Sequence, residues 1–118
     1  MNFLSTLTDE ELARRWSAAK SRQMGRECKA VKTKDDHAAA RDAWGESHAA
    51  TTEAERRGMD EMAFGHLCSI TSTHDAIDIC SAELARQRTP KGKDKWRRRL
   101  CEHTPRLAAL EPLPVAAE

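Results

Sequence analysis

Residues 35–58 read DDHAAARDAWGESHAATTEAERRG, and this stretch has the charge distribution of one helix with both ends marked. Its first two residues are aspartates, where the helix dipole favours negative charge, and the two residues before Gly58 are arginines, where the dipole favours positive charge. Gly58 is the expected stop, because glycine adopts the left-handed conformation without a Cβ penalty. We therefore predict a helix over residues 35–57.

Small residues dominate this predicted helix. One seam with alternating spacings of four and three consists of Ala40, Trp44, Ser47, Thr51 and Ala54, and a neighbouring row adds Ala39, Ala43 and Ala50. Small side chains let a second helix approach closely but bury little apolar area. We interpret the seam as a helix–helix interface, which a second copy of the chain could also use as a homodimer contact. No sustained heptad is evident in the sequence.

The composition favours a helical protein with a small core. The chain has 118 residues, of which 39% are hydrophobic and 4% aromatic, with no tyrosine. A chain of this length is most simply one domain, residues 1–118. Alternating apolar runs bounded by hairpin turns are missing, so strands are not expected. We predict an all-α fold, an irregular bundle of about five helices with a proline-containing tail over residues 105–118.

Four further helices are predicted, over residues 8–23, 59–70, 73–88 and 93–103. Thr8 and Glu11 have the spacing of a capping box, and Gly25 is expected to end the first helix. Residues 26–34 read as a linker or as a basic extension of the next helix, with helix slightly favoured. Residues 71–73 are expected to interrupt the helix, and a new helix is expected to begin there with Ser72 as its N-cap. The predicted apolar face of helix 59–70 consists of Met59, Met62, Ala63, His66, Leu67 and Ile70.

The net charge of +1 conceals three charged blocks. Residues 14–34 hold eight basic residues and one acid, residues 35–83 hold eleven acids and three basic residues, and residues 86–106 hold nine basic residues and two acids. Two interpretations remain open. The acidic block can neutralise the basic blocks within the fold, or one block can remain available to a partner of opposite charge.

The strongest candidate for partner contact lies in the third block. Its basic residues are Lys91, Lys93, Lys95, Arg97, Arg98 and Arg99. Trp96 is expected to anchor this helix in the core beside Leu100 rather than to stack on a base. No helix-turn-helix, zinc-finger or RNA-recognition motif accompanies the cluster. Direct DNA or RNA binding through residues 91–99 and 14–34 is therefore an alternative that rests on charge alone.

Histidine and cysteine spacing does not favour a metal site. The close pairs His66-x-Cys68 and Cys101-x-His103 are two residues apart, which places their members on different sides of a helix. Structural zinc sites use wider spacings within each ligand pair. Glycine-rich phosphate loops, nucleophile elbows and H-E-x-x-H are also missing from the sequence. We expect no metal, no cofactor and no catalytic residues.

These observations favour a small, non-catalytic regulatory protein that binds and modulates another macromolecule. The expected partner is a protein or a nucleoprotein complex, by analogy with small phage or mobile-element inhibitors of nucleic-acid-guided defence complexes, such as anti-CRISPR proteins. The alternatives are direct nucleic-acid binding and a structural homodimer. No apolar stretch approaches the ~20 residues of a membrane span, and the N-terminus lacks a signal-peptide pattern. We therefore expect no membrane partner, a cytoplasmic location and reduced cysteines.

Overall fold

The predicted all-α class is confirmed in the computed structural model, which describes residues 3–111. These residues form a short 3₁₀ helix, Phe3–Thr6, and four α-helices instead of about five. The α-helices are α1 (Asp9–Glu27), α2 (Lys34–Arg56), α3 (Glu61–Arg86) and α4 (Pro90–Leu110). The chain divides into two compact units, one ending at Cys68 and the other beginning at Ser69, and α3 contributes to both.

The start of α1 follows the predicted capping box. The Thr8 hydroxyl accepts a hydrogen bond from the Glu11 amide at 3.1 Å, and the Glu11 carboxylate accepts one from the Thr8 amide at 3.0 Å. Gly25 does not end α1, because a single glycine inside a helix costs only about 1 kcal/mol relative to alanine. The helix continues to Glu27, and residues 28–33 then form a turn. The slight preference for helix over residues 26–34, interrupted near Thr33, was therefore wrong for residues 28–33.

Both ends of α2 have local causes. Thr33 is its N-cap and forms a second capping box, with Asp36 in the N3 position. Gly58 has a φ of 89°, which confirms it as the left-handed residue that stops the helix. The buried residues of α2 are Asp36, Ala40, Ala43, Ser47, Ala50, Glu53 and Ala54. Six of them keep alternating spacings of four and three, so α2 does carry a heptad-like stripe. Five of the six come from the two predicted rows, and Asp36 is the sixth.

This stripe of small side chains brings α1 and α2 close together in the first unit. One core cluster joins them to the 3₁₀ helix and the first turns of α3: Leu4, Leu12, Ala13, Ala50, Ala54, Phe64, Leu67 and Cys68. Trp16 packs against it, with its ring edge-to-face with that of Phe64 at 6.4 Å. Alanine on α2 lets the larger residues of α1 and α3 fill most of the core.

The predicted break at residues 71–73 was wrong, since α3 runs through it without interruption. The hydroxyl of Thr73 donates to the Ser69 carbonyl at 2.8 Å, one turn earlier. Such bonds give a hydroxyl group a hydrogen-bond acceptor inside the helix, so the residue does not have to cap a new helix. Ser72 is therefore not an N-cap.

The predicted apolar face of the first part of α3 was also partly wrong. Met62 is 85% exposed and Ala63 is exposed, whereas Phe64 and Cys68 are buried beside the predicted Leu67. Phe64 brings a large, rigid apolar surface that outweighs the flexible methionine in deciding which face turns inward.

Helix α4 is longer than the predicted 93–103. It begins at Pro90. Proline has no backbone N–H, and the first residue of a helix has no carbonyl within the helix to accept one. Thr89 is the N-cap, and its hydroxyl accepts a hydrogen bond from the Gly92 amide at 3.0 Å. It also continues through Pro105, which lies on an exposed side, while the Thr104 hydroxyl donates to the Leu100 carbonyl at 2.8 Å. Residues 105–110 are therefore helical rather than tail, and the predicted tail beyond Glu111 lies outside the described residues.

In the second unit, residues 87–89 connect α3 to α4. His74 Nε2 lies 2.8 Å from Glu111 Oε1, which brings a residue in the middle of α3 to the end of α4 and makes the part of α3 in this unit and α4 an antiparallel hairpin. The described part of α4 has no fully buried residue. Beyond Gly92, its half-buried residues again alternate by four and three: Trp96, Leu100, His103, Leu107 and Leu110. Trp96 and Leu100 thus share one stripe, as predicted, but it is half buried.

Candidate binding surface on α4

Six basic residues on the first turns of α4 form what we call the α4 basic surface: Lys91, Lys93, Lys95, Arg97, Arg98 and Arg99. All six are exposed. With a rotation of roughly 100° per residue, Lys91, Lys95 and Arg98 fall on one side of α4. Lys93 and Arg97 fall on the other side of the half-buried stripe. The predicted cluster is therefore brought together along one helix, but it surrounds that stripe rather than forming a single row.

Acidic groups do little to neutralise this surface. Arg98 Nη2 lies 2.6 Å from Asp94 Oδ2, one turn earlier, and both side chains are more than half exposed, at 77% and 57%. Exposed pairs of this kind contribute only about 0–1 kcal/mol. Within residues 3–111, the other five basic side chains form no ion pair with an acid. The α4 basic surface therefore keeps most of its positive charge.

The half-buried Trp96 fixes the position of two of these cations. Arg99 has its guanidinium carbon 4.6 Å from the ring centroid, and Lys95 Nζ lies 5.3 Å from it. An aromatic face attracts a cation at such distances. The ring is thus already occupied by side chains of its own helix, which leaves charge as the feature that α4 presents.

The basic segment 14–34 differs, because acids of α2 lie against it. Arg26 Nη1 and Lys29 Nζ lie 2.8 and 2.9 Å from Asp36 Oδ1. Arg22 forms an ion pair with Glu46, and Arg15 lies 3.9 Å from the same carboxylate. In the first unit, the acidic block therefore neutralises much of the neighbouring basic block.

Asp36 is the centre of this neutralisation. Its side chain is 1% exposed, and its second oxygen accepts hydrogen bonds from the Thr33 amide and hydroxyl at 3.0 and 3.1 Å. The amide of Thr33, followed by Arg26 and Lys29, holds the pKa of this carboxyl well below its usual range. The T-x-x-D spacing of residues 33–36 is the sequence signal for this arrangement, and it was not among the predicted features.

A second group of charges closes the other end of the α1–α2 pair. The Arg57 guanidinium donates to the Leu4 carbonyl at 2.8 Å, to Asp9 at 2.9 Å and to the buried Glu53 at 3.2 Å. Arg56 also donates to Glu53, and this bond is the main reason that the pKa of Glu53 is lowered. Sequence reasoning assigned Arg57 only to the helix dipole, because its partners are up to 53 residues away.

The predicted helix–helix seam is divided between the interior and the surface. Ala40, Ser47 and Ala54 are buried within the first unit, Thr51 is half buried and Trp44 is 50% exposed. A homodimer formed through this seam would have Trp44 as its main accessible residue.

The histidines and cysteines considered for a metal site do not converge in the described part of the chain. Within residues 3–111, no group of three or more His, Cys, Asp or Glu side chains could hold a metal ion. Cys68 and Cys80 are buried, while Cys28 and Cys101 are exposed. Burial raises the pKa of the Cys68 thiol to about 11.

Comparison of the chain with protein-family models, with curated proteins and with solved structures gives no match. Of the helices within residues 3–111, none has both the length and the apolar character required to span a bilayer.

Proposed function

We propose that this chain is a non-catalytic regulatory protein that binds a protein or nucleoprotein partner through the α4 basic surface. The observation that carries this proposal is the contrast between its two basic segments. Acids of α2 pair with four basic residues of segment 14–34: Arg15, Arg22, Arg26 and Lys29. Within residues 3–111, the α4 basic surface forms a single ion pair, the exposed one between Arg98 and Asp94. Clustered like charge on one helix costs stability, and a partner of opposite charge offsets that cost.

The type of contact follows from the same geometry. Trp96 is half buried and already covered by Lys95 and Arg99, so it is not an exposed anchor for a hydrophobic interface. Charged groups at an interface mainly speed association and select the partner. We therefore infer an acidic partner surface, with the exposed cations of α4 steering its approach.

A quantitative capture experiment tests this proposal. The tagged full-length chain is used as bait in native-host lysate, beside the variant Arg97→Ala/Arg98→Ala/Arg99→Ala and a matched variant, Arg15→Ala/Arg22→Ala, in the neutralised segment. The proposal predicts partners that wild type and the matched variant retain and that the α4 variant loses. Recovery of the same partners by all three baits would contradict it.

Direct nucleic-acid binding is the second candidate, because unneutralised cations on an exposed helix also attract phosphates. A salt titration with a random-sequence duplex separates the two. Phosphate contact predicts an affinity that falls steeply as salt rises, with a smaller slope in the α4 variant. Absence of duplex binding at low salt would eliminate this candidate and leave the protein partner.

A further inference from the structure

A second surface of interest lies on α2, around Trp44. The indole is 50% exposed, and the His48 ring stacks on it with centroids 5.0 Å apart and planes 8° apart. The stack covers one face of the indole and limits its orientation. The core face of α2 is built from small residues, so this large ring contributes little to the core and remains available for contact.

Trp44 lines a surface cavity of about 360 Å³ beside the turn that connects α1 to α2. The other lining residues are Gln23, Glu27, Lys32, His37, Ala40 and Arg41. Small-molecule pockets in proteins usually measure roughly 300–1,000 Å³, so this cavity has room for one ring system with a polar substituent.

The cavity combines its aromatic wall with an excess of basic groups. Lys32 and Arg41 are exposed and, within the described part of the chain, form no ion pair, and His37 is a third basic side chain. The cavity has a single acid, Glu27, whose carboxylate already accepts a hydrogen bond from Gln23 at 3.0 Å. A ligand that meets these walls encounters a flat ring and positive charge together.

We propose that this cavity binds a nucleotide unit, with the base stacked on Trp44 and the phosphate contacting Lys32 and Arg41. A phosphate alone would not stack on the indole, and a neutral aromatic ring would not form ion pairs with Lys32 and Arg41. An acidic peptide supplies the charge but not the flat ring. A nucleotide supplies both, whether as part of a single strand or as a free molecule.

This proposal does not rest on the α4 basic surface, and the experiment distinguishes binding at the cavity from binding at α4. Binding of a fluorescently labelled 12-nucleotide single strand to the full-length chain is compared with binding of an abasic strand of equal length and charge. Stacking on Trp44 predicts at least about fivefold tighter binding of the strand that carries bases. Contacts made only by α4 depend on phosphates, so Arg97→Ala/Arg99→Ala should weaken both strands by the same factor.

Variants of the cavity complete the test. Trp44→Ala should remove the preference for bases, while Trp44→Phe, which keeps a stacking ring, should retain part of it. Lys32→Ala/Arg41→Ala should weaken binding of both strands by more than Lys34→Ala, a control on an exposed lysine outside the cavity. Competition by adenosine monophosphate would show that a free nucleotide also fits, and lack of competition alongside a base preference would assign the site to single strands.

Two results would overturn the proposal. One is equal affinity of the wild-type chain for both strands without competition by the free nucleotide, or no binding of either strand and no direct binding of adenosine monophosphate. The other is a base preference that persists in a folded Trp44→Ala variant, which would place stacking elsewhere.

Discussion

Arg26 Nη1 lies 2.8 Å from Asp36 Oδ1, and this ion pair joins the end of α1 to the beginning of α2. Lys29 contacts the same oxygen, and Thr33 donates to the other one. Asp36→Asn keeps the size of the side chain but removes its charge, so we expect a lower Tm and a lower urea midpoint. Asp35→Asn, at the exposed preceding position, is the control and should stay near wild type. Equal midpoints for the two variants would show that the buried carboxylate is not important for stability.

The same carboxylate makes stability depend on pH in a defined direction. Its pKa is lowered in the folded chain, so the charged form stabilises the fold above the ordinary aspartate range, and this contribution is lost as pH falls through that range and below it. Wild type should therefore lose most of its stability advantage over Asp36→Asn between about pH 5 and pH 2. Urea unfolding at several pH values measures this, and a constant difference across the range would contradict the assignment.

The continuity of α3 can be tested at Ser72. If this residue lies inside a helix, Ser72→Ala should leave stability unchanged or raise it by up to about 0.5 kcal/mol, because alanine has the higher helix propensity. An N-cap serine would instead cost about 1 kcal/mol when replaced. Thr33→Ala, at the N-cap of α2, is the positive control and should show that cost. Chemical unfolding of both variants decides between a continuous helix and a broken one.

Local signals predicted most of the fold correctly where cause and effect are close in sequence. Thr8 with Glu11 marked the start of α1, and Gly58 marked the end of α2. The errors at Ser72 and Pro105 have another origin, since hydroxyl residues and proline favour helix ends but are accommodated inside a helix. The Met62–Ala63 face failed because the tertiary contacts of Phe64 decided which side of α3 turned inward.

The candidate sites were less predictable. The basic residues 91–99 were evident from composition, but their lack of acidic partners required the structure. Residues 14–34 have a similar charge, and only the contacts of Asp36 and Glu46 distinguish the two segments. The cavity beside Trp44 joins residues of α1, the following turn and α2, and no spacing rule relates these residues.

The four cysteines should differ in reactivity. Cys28 and Cys101 are exposed, whereas Cys68 and Cys80 are buried. Burial raises the pKa of Cys68 to about 11, so little reactive thiolate is present near pH 8. We expect two thiols to react rapidly with a maleimide in the native chain and four after denaturation, as counted by mass spectrometry. Rapid native labelling of Cys68 would contradict its placement beside Ala13.

Salt elution from a heparin column tests the central claim, that the α4 basic surface remains available while acids of α2 neutralise Arg15, Arg22, Arg26 and Lys29. Each of two variants removes two cations, Arg97→Ala/Arg99→Ala from α4 and Arg15→Ala/Arg22→Ala from the segment beside Glu46. The claim predicts that the α4 variant elutes at a clearly lower salt concentration than wild type, while the other variant elutes close to wild type. Equal shifts for the two variants, or a larger shift for Arg15→Ala/Arg22→Ala, would contradict it.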